Sequence, residues 1–207
     1  MNYYLLSTLE ILLTIVTPLL FLYRRGTWPQ RSTTACLVSI PVLWYPVYSP
    51  LHELSHVAAT WMVGGTVTST KLIPSFWRGE FGRAWITTEG VTQPSQQLIT
   101  TAGPYILDVA CLVTALVVLR RTFSKSPFVV GIVFMLLCLR PAFDFVCESV
   151  GLITGDRGDF HAIHAIIGTI STQLFMAFTL AFSLFSVLII LKRYAGFPGS
   201  PTVNSGT

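Results

Sequence analysis

Along most of this sequence, apolar residues run for about 20 positions before charges interrupt them. At about 1.5 Å per residue that is long enough to cross a bilayer core of about 30 Å. The runs are Tyr4 to Tyr23, Thr33 to Val63, Leu98 to Leu119, Pro127 to Val146 and His164 to Leu191. Lipid offers a backbone no hydrogen-bond partners, so runs of this length specify helices. Composition agrees: of 207 residues 52% are hydrophobic and 11% charged, against roughly 25% charged in a soluble domain. The mean hydropathy is +0.66. The expected fold is an all-α integral membrane bundle of about five transmembrane helices, within a range of four to six. Residues 1–194 form a single membrane domain, and 195–207, rich in Gly, Pro, Ser and Thr, read as a disordered tail.

Details within the runs sharpen this picture. Tyr4 to Tyr23 has no basic residue before it and Arg24-Arg25 directly after it, the wrong polarity for a cleavable signal peptide. Thr33 to Val63 is interrupted by Pro41, Pro46 and Pro50, each expected to kink or restart a helix. Ser49-Pro50 reads as an N-cap and first helical position and Gly64-Gly65 as a stop, which isolates Pro50 to Val63 as one short helix. In residues 64–97 the pattern changes to β-prone runs, Thr66 to Ile73 and Arg83 to Thr88, around a turn-rich centre, and a β-hairpin is expected. Phe76, Trp77, Phe81 and Trp85 suit a membrane interface. On five spans, Arg24, Arg25, Arg31, Arg120, Arg121, Lys125, Lys192 and Arg193 share one face, eight of the 13 basic residues. By the positive-inside rule that places the C-terminus in the cytoplasm and the N-terminus outside.

These basic residues flank apolar runs without interleaved aromatics, which argues against nucleic-acid binding. Cys36, Cys111, Cys138 and Cys147 lie in or beside apolar runs with no CxxC spacing and read as packing residues.

Chemistry enters at His52-Glu53-Leu54-Ser55-His56, an HExxH sequence. Residues four apart share a helix face, so both imidazoles reach one zinc ion while Glu53 sits beside the open position as general base on a metal-bound water. The bland reading is a polar cluster at a helix end. Three ionisable groups within one turn, flanked by Leu51, Val57, Ala58 and Trp61, are costly in a membrane without partners, and a metal answers that cost.

A catalytic zinc site commonly has three protein ligands, so a third must come from elsewhere. Asp156 and Asp159 lie in a Gly-rich turn directly before the last run. Their alternative role is a solvated turn with a helix-capping acid. Asp144 has a competing account as an intrahelical partner of Arg140, and Asp108 as a bond to a neighbouring helix or a cavity wall. His161 and His164 are candidates too, though their spacing also suits an interface or core.

Leu51 to Ala59, followed by Gly64-Gly65-Thr66-Val67, resembles the active-site helix and following hairpin of the site-2 protease family of intramembrane zinc metallopeptidases. Ala102-Gly103-Pro104 resembles that family's small-Gly-Pro motif, and an acid before a late span resembles its third zinc ligand. The resemblance covers about Pro50 to His164. The family's Asn/Pro run ending in Leu-Asp-Gly is missing. Asp159 is the preferred substitute, because the apolar helical pattern Phe160, Ile163, Ile166, Ile167 starts right after it, and Asp156 is the alternative. The family's site is usually described as opening towards the cytosol, whereas the charge count puts the end of the HExxH helix on the opposite face.

What the resemblance implies is hydrolysis of peptide bonds in or near a transmembrane segment of another protein, with zinc as cofactor, a membrane protein as substrate and the bilayer as surroundings. A helical substrate must unwind before attack, since its carbonyls are engaged in backbone bonds. An edge strand of the hairpin offers a place to hold it by strand addition. The rival readings are a non-proteolytic membrane protein that keeps the fold as a partner- or metal-binding module, a transporter or channel subunit with His52, Glu53 and His56 on an ion pathway, and a hydrolase of a lipid or small amide.

Overall fold

In a computed structural model of the chain, the residues described are 30–74, 84–121, 127–155 and 158–195, with Thr8, Leu12 and Val16. Nearly all of the first apolar run, the tail from 196, Phe76, Trp77 and Phe81, and Asp156 lie outside the described residues. The elements are helix α1 (Gln30–Met62), strands β1 (Thr66–Lys71) and β2 (Trp85–Glu89), and helices α2 (Pro94–Arg121), α3 (Pro127–Phe134), α4 (Arg140–Thr154), α5 (Asp159–Ile167) and α6 (Thr169–Ala195). A π-helical turn, Met135–Leu139, joins α3 to α4. The described part of the chain is mainly helical, with one two-stranded sheet.

Among the described residues, two helices, over Pro94–Val118 and Thr169–Ile190, are long and apolar enough to cross a membrane; of the five crossings the sequence predicts, the first lies almost wholly outside those residues. Both turn large apolar side chains outwards, among them Ile106, Val113 and Val117 on α2 and Leu174, Phe178 and Phe185 on α6.

Three boundaries differ from those the sequence suggests. First, α1 runs unbroken through Pro41, Pro46 and Pro50, so Pro50 to Val63 is the end of a long helix and not a separate short one. Each proline removes one backbone donor, but a full break would strand several more groups, and the continuous helix keeps most of them paired. Second, the segment expected as a polar turn from Glu148 to Asp159 is helical through Thr154; α4 ends at Gly155, whose φ of 77° is the left-handed C-cap conformation. Third, the expected last span from His164 is two helices, because Gly168, at φ 82°, ends α5 before α6 begins at Thr169.

The hairpin follows the expectation closely. Gly64, at φ 81°, ends α1, and β1 pairs antiparallel with β2 from Thr66 opposite Glu89 to Lys71 opposite Trp85, with an irregularity between Val67 and Ser69. Among the described residues the sheet has two strands, so the far edge of β1 pairs with no third strand there.

Apolar packing falls into two buried clusters. One joins Trp44, Ala115, Phe134, Met135, Cys138, Leu139, Phe143 and Ile190; the other joins Tyr105, Leu112, Phe145, Phe160 and Ile163. Cys138 fills the first cluster, and Cys111 and Cys138 are free thiols.

Helix α2 approaches α1 unusually closely at Gly103, where an added Cβ would lie 2.9 Å from both the Ser55 carbonyl oxygen and the Ala59 Cβ. Only a residue without a side chain fits, which gives the Gly of Ala102-Gly103-Pro104 a physical reason. Gly103→Val is expected to destabilise the protein by about 1–3 kcal/mol through overpacking. A thermal unfolding midpoint in detergent equal to that of the wild type would contradict this.

Candidate metal centre

His52 and Glu53 are neighbours on α1, His56 lies one turn further on, and Asp159 is the first residue of α5. Gly158 holds extended backbone, with φ −90° and ψ −174°, and directs the chain into α5. An acid in the first helical turn is favoured by the partial positive charge there. A separate helix steadies that turn: the Glu148 carboxylate on α4 accepts the Phe160 backbone N–H at 3.1 Å.

Three potential ligand atoms converge. His56 Nε2 lies 3.2 Å from His52 Nε2; Asp159 Oδ2 lies 3.2 Å from His52 Nε2 and 2.9 Å from His56 Nε2. Bonds of about 2.0–2.1 Å to a tetrahedral ion separate its ligand atoms by about 3.3 Å, so the triangle matches to within a few tenths of an ångström. The group is close enough to hold one metal ion.

Tautomers follow from the partners. His52 Nδ1 is 2.7 Å from Asp144 Oδ2, and His56 Nδ1 is 2.8 Å from the Thr100 backbone carbonyl. With a carboxylate and a carbonyl as acceptors, each Nδ1 carries the hydrogen and donates it, which leaves both Nε2 lone pairs aimed at Asp159 Oδ2. Tyr105 donates its hydroxyl to the same Asp159 oxygen at 3.0 Å, and Tyr48 donates to Asp144 Oδ1 at 3.0 Å. Each apolar cluster thus sends one tyrosine hydroxyl to the polar site, Tyr48 from the first and Tyr105 from the second.

Glu53 is buried on the same turn and interacts electrostatically with His52, His56 and Asp159. His52 and Asp159 are partly exposed, so the site is not sealed.

Of the residues singled out in the sequence, His52, His56 and Asp159 come together, and Asp156 lies outside the described residues. Asp144 departs from its expected pairing: it bonds His52 and Tyr48, and the ion pair of Arg140 is with Asp108, since these partners on other helices take both side chains. For Asp108 this is the bond to a neighbouring helix that the sequence allowed. His161 is exposed and His164 meets the Thr169 hydroxyl at 3.0 Å; neither belongs to the group.

Sequence reasoning missed Tyr48, Tyr105, Glu148 and the Thr100 carbonyl. A backbone carbonyl has no side-chain signature, but Tyr105 directly follows Gly103-Pro104, and that position was a usable signal.

No family model, curated protein or solved structure matches the chain.

Proposed function

We propose that the chain is a membrane metallohydrolase that cleaves peptide bonds in or beside transmembrane segments, as the likeness to site-2 proteases implies. His52, His56 and Asp159 would hold the ion, and the His/His/carboxylate set favours zinc. The observation that carries this reading is the convergence of two imidazole nitrogens and a carboxylate oxygen at 2.9–3.2 Å, a donor set and spacing that suit one divalent cation.

Held by these residues, a divalent cation would supply Lewis acidity. Glu53, on the same turn, would serve as the general base and would pass the proton to the leaving amine. The Thr100 carbonyl orients His56, Tyr105 holds Asp159, and Glu53 is buried beside His52 on the same helix. The outward apolar faces of α2 and α6 support a site operating within or against lipid.

The open edge of β1 would take an unwound substrate segment as a third strand. Successive residues present their N–H groups to opposite edges, so of Ser69→Pro and Thr70→Pro one removes an open-edge donor. That variant is expected to lose cleavage while its metal content stays at the wild-type level. If both variants cleave like the wild type, strand addition at β1 is wrong.

The test of the whole reading is hydrolysis of dye-labelled casein, an unfolded polypeptide, by the detergent-purified chain loaded with zinc. Release of labelled peptides by the wild type and not by Glu53→Gln supports it; equal release, or none from either protein, counts against it.

A further inference from the structure

Behind the proposed metal centre lies a second layer of buried charge that the hydrolytic chemistry does not use. Asp144, Arg140 and Asp108 are each at most 1% exposed. Arg140 pairs through Nη2 with Asp108 Oδ1 on α2, and the same nitrogen lies 3.6 Å from Cys111 Sγ. Asp144, one turn further along α4, divides its oxygens between His52 Nδ1 and the Tyr48 hydroxyl.

The direction in which these side chains point has a sequence cause. Pro141, at the start of α4, has no N–H, and its ring opposes the carbonyl four residues back, which disfavours an α-helical turn there. The chain adopts the π turn Met135–Leu139 instead, and the Arg140 N–H bonds the Met135 carbonyl, five residues back. A π turn accommodates one extra residue, which rotates everything downstream by about 100° relative to an unbroken α-helix. That rotation carries Arg140 towards α2 and Asp144 towards His52.

We propose that Asp144, aimed by this π turn, is the outer-sphere carboxylate of the metal centre: it fixes the ring orientation and tautomer of His52 and sets how tightly the ion is held. Arg140, anchored by Asp108, offsets the buried negative charge of Asp144 and keeps it an acceptor. Asp144 is thus a positioning residue, acting through His52. The inference rests on the reading of His52, His56 and Asp159 as metal ligands, and outer-sphere partners of this kind typically contribute about 10- to 100-fold in metal affinity.

The test uses the full chain in detergent and the metals alone. Zinc affinity is measured by competition with a chelating dye, and the visible spectrum is recorded at saturating cobalt(II). The proteins are wild type, Asp144→Asn, and Tyr48→Phe, which removes the hydroxyl that bonds Asp144 Oδ1 and leaves His52 untouched. Zinc affinity is expected to fall about 10- to 100-fold in Asp144→Asn and less in Tyr48→Phe. The cobalt bands of fully loaded Asp144→Asn should shift, since the donor strength of His52 changes, an effect that general destabilisation would not produce at full occupancy. The proposal is overturned if Asp144→Asn binds zinc within about threefold of wild type, or if weaker binding comes with an unchanged cobalt spectrum. If Asp144→Asn does not fold, Tyr48→Phe decides alone: a few-fold weaker affinity with shifted bands supports the proposal, and wild-type affinity and spectrum overturn it. Wild type that takes up neither metal overturns the metal-site reading itself, so the two failures are told apart by the wild-type control.

Discussion

Glu53→Gln is expected to leave the protein folded and able to bind metal, and to lower peptide hydrolysis by about 10²- to 10⁴-fold, the range a general base contributes. The amide is nearly isosteric with the carboxylate, so packing of the buried side chain is kept. It cannot take up a proton near neutral pH, and the two ligand imidazoles are untouched. The measurement is metal content and casein cleavage on the same preparation. A transporter that uses this turn as an ion pathway would behave differently, with flux persisting in Glu53→Gln and no cleavage in the wild type. A loss of bound metal together with activity would make Glu53 a ligand and contradict its role as base.

Asp159→Ala is expected to weaken zinc binding by more than the roughly 10- to 100-fold typical of losing an outer-sphere partner, because it removes one of three converging atoms. It also leaves the buried Tyr105 hydroxyl without its acceptor, which adds about 1–3 kcal/mol of destabilisation. Asp156→Ala, three residues earlier, should keep wild-type zinc affinity. Chelator competition on the two variants separates them. The reverse pattern, with Asp156→Ala losing the metal and Asp159→Ala retaining it, would move the third ligand.

How much of this was legible in the sequence depended on how local each signal was. HExxH fixes its own geometry, since four residues make about one helical turn, and His52 and His56 meet as that spacing dictates. Asp159 was legible because an acid stood at the start of an apolar helical pattern. The hairpin ends came within a few residues because Gly64 marked the turn. The continuity of α1 was not legible: proline chemistry argues locally for a break at Pro41, Pro46 or Pro50, whereas the unbroken helix keeps the remaining backbone groups paired, which no local pattern announces. Gly168 was hidden for the opposite reason, as a lone glycine in an apolar run leaves no pattern until its positive φ is seen. Asp144 and Arg140 stand four residues apart, which suggested an intrahelical pair; their stronger partners, His52 and Asp108, come from other helices and depend on packing.

Whether one metal ion sits between His52, His56 and Asp159 is decided by elemental mass spectrometry of the detergent-purified chain beside His56→Ala. About one zinc per chain in the wild type, lost in the variant, is the expected result. Well-folded wild type that contains no metal even after zinc is supplied would contradict it, and the HExxH turn would then be a structural polar cluster.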